Sequence, residues 1–191
     1  MTYLPYEPEI DGDGGYVRWR PRMVRQSVFE DMKTTLRNNG YMGATPSIAL
    51  KYPVDVVEFF PEFAIYDTDK VKYNTIAIDN GEPGPLEEYE LGGLFSRDYR
   101  FSMALYAEND GIGLSMFSDL GDRYLGLTNY PFVALYNYNA ATPTRVVNME
   151  VLAFQYARAP QEVAPYEHHL FFAELLVRDF VEQNPNRTPE L

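Results

Sequence analysis

The residues of this chain best placed to do chemistry are carboxylates. Glu87, Glu88 and Glu90 fall within four positions, with Asp79 shortly before them. Such a set can serve general acid and base catalysis, or supply the several converging oxygens that a hard cation such as calcium takes. The spacing follows no calcium-loop pattern, and a solvated acidic hairpin is the preferred account. The two histidines, His168 and His169, are adjacent on a predicted strand. Their side chains then point to opposite faces and do not share one metal or one substrate. Asp119 and Asp122 fall on the polar side of a predicted helix near Arg123, where local charge pairing explains them. Gly111 and Gly113 lack the following Gly, Lys and Ser or Thr of a phosphate loop, and Gly92 and Gly93 read as strand breakers. With no Cys in the chain, disulfides, thiolate metal sites and a Cys nucleophile are excluded. No catalytic, cofactor-binding or metal-ligating residue is assigned, no cofactor is expected, and the chain reads as a non-enzyme.

Length and charge narrow the classes further. A chain of 191 residues with 46% hydrophobic content can bury one sizeable core, which favours a single domain. Sixteen Lys and Arg stand against 28 Asp and Glu, a formal charge of −12. That balance opposes gripping phosphates, although an acidic surface suits a channel through which DNA slides without adsorbing. The first 15 residues carry acids and prolines where a signal peptide needs positive charge and an apolar run. No run of about 18 apolar residues marks a membrane span.

The elements that must position these residues follow from spacing. Residues 1–20, with Pro5, Pro8, Gly12, Gly14 and Gly15, read as a flexible N-terminal arm. Pro21 suits a first helical turn, Val24, Val28, Met32 and Leu36 recur every four residues, and Asn39 and Gly40 form a stop, so a helix is predicted over 21–38. Residues 54–60 and 74–79 read as short strands. Asn80, Gly81, Pro83, Gly84 and Pro85 then predict a reversal, folding 86–91 back on 74–79 as a hairpin.

Strict alternation over 99–107 predicts a half-buried strand with Tyr99, Phe101, Met103, Leu105 and Ala107 facing the core. Asp110 is expected to cap the next helix, whose stripe is Ile112, Met116, Phe117, Leu120 and Tyr124, closed by Gly126. Residues 127–145 read as a long connection carrying Tyr130, Phe132, Tyr136 and Tyr138, either misplaced core or anchors for a partner. Strands over 146–158 and 168–181 are expected to form an antiparallel pair, and 182–191 a C-terminal tail. The whole predicts an α+β domain over 21–181: a mostly antiparallel, mixed sheet of about four to five strands with two main helices packed on one face.

Taken together, the apolar strand from Thr75, the acidic gap, Glu90, Leu91, Gly92 and Gly93, and the alternating strand ending Leu105, Tyr106, Ala107 and Glu108 resemble tail terminator proteins of long-tailed (siphovirus-like) bacteriophages. The following helix and the final strand ending Val177, Arg178, Asp179 and Phe180 share the likeness, which covers about residues 21–181. The resemblance implies a structural virion protein that forms a homo-hexameric ring, caps the tail tube, ends its polymerisation and joins it to the head-tail connector or head closure protein. DNA would pass through the channel without specific binding, and no membrane is involved. The expected location is the virion at the head-tail junction, with the host cytoplasm during assembly.

Within that reading, Arg20, Arg22 and Arg25 are expected to meet Glu87, Glu88 and Glu90 of the adjacent subunit, unless those acids face the lumen. Tyr130, Phe132, Tyr136 and Tyr138 would contact the tube or connector. The arm and the 127–145 connection are longer than a minimal member needs, so their roles do not transfer. The close alternative is a head closure or tail completion protein at the same junction. A small acidic cytoplasmic enzyme or ligand-binding domain using the 87–90 carboxylates is the alternative of another class.

Overall fold

The structure, a computed structural model, describes residues 15–41, 55–58, 74–79, 81–90, 94–126, 131–137, 142–159 and 169–182. In chain order the elements are α1 (Gly15–Asn38), β1 (Asp55–Glu58), β2 (Thr75–Ile78), β3 (Glu82–Glu90), β4 (Leu94–Ala107), α2 (Asp110–Leu125), β5 (Phe132–Asn137), β6 (Thr144–Arg158) and β7 (His169–Glu182). Among the described residues seven strands form one sheet in the order β1-β2-β4-β7-β6-β5, with β3 also paired to β4. Among the described residues only the β1–β2 pair is parallel. This is the expected α+β architecture, with more strands than the four or five anticipated.

Alternation decides which face of the sheet is dry. Tyr99, Phe101, Met103 and Leu105 of β4 and Phe171, Ala173, Leu175 and Val177 of β7 are all buried on the helix-covered face. The α1 stripe Val24, Val28, Met32 and Leu36 and the α2 stripe Ile112, Met116, Phe117, Leu120 and Tyr124 fill the same core. Burying both apolar stripes supplies most of the stability that short isolated helices lack. On the opposite face Ala77, Ala104 and Tyr106 make a small second cluster with Leu170.

Helix ends explain the limits of the two helices. α1 closes with Tyr41 N donating to Leu36 O at 2.8 Å and Gly40 N to Arg37 O at 3.0 Å, with Gly40 at φ 83°. This is the paired closing motif that a glycine in the left-handed region permits. At its other end α1 starts at Gly15, so Pro21 lies inside the helix and does not begin it. There the ring both withholds one N–H from the ladder and crowds the carbonyl four residues earlier. α2 is capped one residue earlier than expected: the Asn109 side chain, and not Asp110, accepts from Ile112 N at 3.0 Å.

Two further expectations are corrected. The hairpin folding 86–91 onto 74–79 does not form. Instead β2 pairs with Met103–Tyr106 of β4 and β3 with its Leu94–Arg100 half, so the two run end to end along one edge. The Gly and Pro residues interrupt that edge without reversing it. Asp79 Oδ1 accepts from Gly81 N at 3.0 Å, and Gly81 sits at φ 74°. The hairpin that does exist joins β3 to β4, with residues 91–93 between Glu90 and its partner Leu94.

Secondly, the 127–145 connection contains β5, which pairs with β6 and buries Val133 and Leu135. The last two strands, β6 and β7, form the expected antiparallel pair, with an irregularity between Val151 and Ala153 that shifts the register. Beyond it Phe154 packs edge-on against Phe117, with ring centroids 6.3 Å apart. An extra residue in one strand exchanges its faces, which period-two reading cannot anticipate. Residues 15–20 of the expected 1–20 arm belong to α1, a correction; residues 1–14, and residues 183–191 of the expected 182–191 tail, lie outside the described residues.

Candidate assembly interface

The acidic residues that drew attention in the sequence stand on an edge strand. β3 pairs with β4 on one side only. Glu82, Pro83, Pro85, Leu86, Glu87, Glu88 and Tyr89 are all exposed. Glu90 ends the strand opposite Leu94. Two register irregularities, between Pro83 and Leu86 and between Glu88 and Glu90, distort the free edge. Charge, proline and bulges are the devices that stop an open strand from accepting another strand. Tyr89 leans edge-on against Phe180, centroids 5.0 Å apart, so the strand is anchored by an aromatic contact as well as by its ladder.

The opposite edge, β5, is finished differently. Ser27 Oγ of α1 accepts from Tyr136 N at 2.9 Å, and Arg123 Nη2 of α2 donates to Phe132 O at 2.8 Å. Both groups belong to alternate residues that face away from β6. Arg123 Nη2 is also 2.7 Å from Asp31 Oδ1, which ties the helices together over that edge. Arg123 therefore pairs with Asp31 of α1, where local pairing with Asp119 and Asp122 was expected. Asp119 instead accepts from the Tyr41 hydroxyl at 2.7 Å.

The three arginines expected to face a neighbour do not behave alike. Arg20 is buried: its Nε lies 2.7 Å from Asp179 Oδ2, and its Nη2 donates to Asp179 Oδ1 at 2.8 Å and to Phe180 O at 2.6 Å. Asp179 is wholly buried. Arg20 is thus committed within its own chain, a correction forced by the cost of leaving a buried carboxylate without a cation. Arg22 and Arg25 are half-buried on α1. Of the aromatic anchors, Phe132 is exposed and Tyr136 half-buried on β5. Tyr130 and Tyr138 lie outside the described residues.

His169 opens β7 with its Nδ1 2.6 Å from Asp110 Oδ1, while Asp110 Oδ2 is 3.0 Å from Arg158. This partly exposed group fastens the start of α2 to the ends of two strands; His168 is outside the described residues. On the open face, Arg178 of β7 donates Nε to Asp98 Oδ1 at 2.8 Å from directly across the ladder on β4. That charge-assisted bond is the leading cause holding the Arg178 pKa above its ordinary value. Among the described residues no three His, Asp or Glu side chains converge as metal ligands, and no helix is long and apolar enough to cross a membrane.

Burial raises the pKa of Asp31 against the opposing pull of Arg123. Burial also pushes the Tyr124 hydroxyl well up, and the neighbouring Asp31 charge adds to it. The Tyr124 hydroxyl and Asp31 Oδ2 interact electrostatically without reaching hydrogen-bond geometry. A carboxyl whose folded-state pKa is raised contributes stability fully below its unfolded value, near 3.8, and loses it as pH rises through the folded value. Asp31→Asn should remove this dependence. Denaturant unfolding of both proteins at pH 4 and pH 7 checks it: wild type should lose ground to the variant as pH rises. Equal pH dependence would show that Arg123 fully compensates the burial.

Comparison with models of known protein families and with curated protein sequences finds no match.

Sequence reasoning missed Asp179, though the signal was present. It occupies the same face as Ala173, Leu175 and Val177, and an acid at an inward position of a strand demands a buried cation. The exposed Leu86 and Tyr89 were also missed, because single-strand alternation does not tell an edge from a centre.

Proposed function

We propose that this chain is a structural subunit that closes into a ring, acting as a tail terminator: it caps a phage tail tube, ends its polymerisation and joins it to the head connector. The observation that carries this reading is the unequal finish of the β3 and β5 edges of the sheet. One is open, acidic and bulged; the other is stitched to both helices by Ser27 and Arg123. Edges of this kind do not extend one sheet into another. Copies that meet at these two edges do so through side chains, one patch against a different one, and such head-to-tail contacts make rings when their rotation closes. The net charge of −12 suits a lumen through which DNA travels. The resemblance carried by residues 75–108 supplies the choice of ring.

The reading is tested by adding the protein to polymerising tail tube protein encoded in the same genome. Tubes should stop growing and carry a ring at one end in negative stain. Tubes that elongate unchanged and carry no bound protein would refute it.

A further inference from the structure

We propose that the acidic β3 edge of one copy docks onto the basic rim formed by α1 and β6 at the β5 edge of a second copy. The inference rests on the ring reading and specifies which surfaces close it.

The β3 edge carries more than protective charge. Leu86 is 41% exposed and Tyr89 49%, interleaved with Glu87 and Glu88. Edge protection alone calls for charge, proline and bulges. By alternation Leu86 and Glu88 stand on one face of the strand, and Glu87 and Tyr89, whose ring meets Phe180, on the other, so the edge offers acid and apolar surface on both faces and suits a counterpart that is apolar and cationic. Pro83 and Pro85 have no N–H to offer, so that counterpart engages side chains and not a backbone ladder.

The far edge of the same sheet has that composition. Ser27 bonds to Tyr136, and Asp31 reaches β5 through Arg123, so the second half of α1 lies over β5. Its outer side presents Lys33 and Arg37, and on the other face of the sheet, at the same edge, β6 presents Arg145, which reaches Asn148 and Phe132. Here too the charge sits on apolar surface. Lys33 Nζ is 5.0 Å above the Phe29 ring, and the Arg145 guanidinium is 5.7 Å from the ring of Phe132, itself 40% exposed. Glu30 on that side of α1 is bonded by Gln26 and lies 3.6 Å from Lys33, so the net positive charge of this edge comes from Arg37 and Arg145.

Acid with exposed apolar groups at one edge therefore faces base with exposed apolar groups at the other. The two patches lie on opposite edges of one sheet, so one molecule cannot satisfy both on itself. A second copy satisfies each, head to tail. In a chain of net charge −12, where copies otherwise repel, such local complementarity also fixes the register of approach.

The test is a charge swap on the full chain, read by native mass spectrometry and light scattering at low salt, with circular dichroism and thermal midpoints confirming that each variant folds. Wild type should assemble. Glu87→Lys with Glu88→Lys, and separately Lys33→Glu with Arg37→Glu, should each weaken assembly at least tenfold, and combining all four should restore it. If wild type assembles and both double variants assemble equally well, the contact is wrong while the ring reading stands. Folded double variants that fail to assemble and are not rescued by the combination also overturn it. A wild type that stays monomeric, alone and with tail tubes, removes the ring reading and this contact with it.

Discussion

Truncating Arg20 to alanine is expected to cost the fold about 3–5 kcal/mol, the usual penalty for stranding one member of a buried ion pair. The side chains of Arg20 and Asp179 are 6% and 0% exposed, so water cannot replace the lost guanidinium. The loss would also strip Phe180 O of its 2.6 Å donor. Because the pair joins positions 159 residues apart, it fixes the start of α1 to the end of β7. The penalty lies in the orphaned charge more than in any large net gain from the pair. Replacing both partners with apolar residues, Arg20→Met with Asp179→Leu, should therefore recover most of the loss. Denaturant midpoints at constant slope give the comparison. A single substitution costing under about 1 kcal/mol would mean that Asp179 is solvated in the folded protein.

Phe117→Ala is expected to be comparably severe, about 3–5 kcal/mol for emptying a buried aromatic site. Phe117 is fully buried in the middle of α2. Its ring meets Phe154 and Phe171 edge-on, both at 6.3 Å between centroids, and Tyr156 at 5.6 Å. One side chain thus fastens α2 to both β6 and β7. The helix cannot settle into the gap, because it already lies close on the sheet. A Cβ at Gly113 would fall 2.2 Å from the Phe171 ring, leaving little room for α2 to shift. Phe117→Leu should cost markedly less than the alanine variant, and thermal unfolding of the two would show the order. Equal losses would point to the aromatic geometry, rather than filled volume, as the source of stability.

Much of this fold could be read from local spacing. Val24, Val28, Met32 and Leu36, the α2 stripe and the alternation from Tyr99 all lie buried where their periods put them. Each reflects a repeat within one element, and such repeats are written in consecutive residues. What stayed hidden depends on partners distant in sequence. Turn residues at 80–85 predict a reversal, yet pairing with β4 holds β2 and β3 end to end. β5 is only six residues long, with one inward alternation, Val133 and Leu135, set among aromatics of the opposite face. The register shift near Leu152 changes which side chains of β6 face the helices, and nothing in the residue types marks it.

The candidate interface was legible in part. Glu87 and Glu88 are exposed on a strand, as an acidic solvated segment predicts. Their expected basic counterpart was drawn from sequence clustering, which counted Arg20 as a surface residue. Its true partner, Asp179, is apparent only once the inward face of β7 is known. Arg145 lies far along the chain from Lys33 and Arg37, and only folding brings it to the same sheet edge.

The central claim is that copies of this chain close head to tail. Native mass spectrometry of the full chain at micromolar concentration, with negative-stain imaging of the same sample, tests it most directly. A single closed ring, six copies by the resemblance, is the predicted result, whether it forms alone or on added tail tubes. A protein that remains monomeric under both conditions would contradict the account.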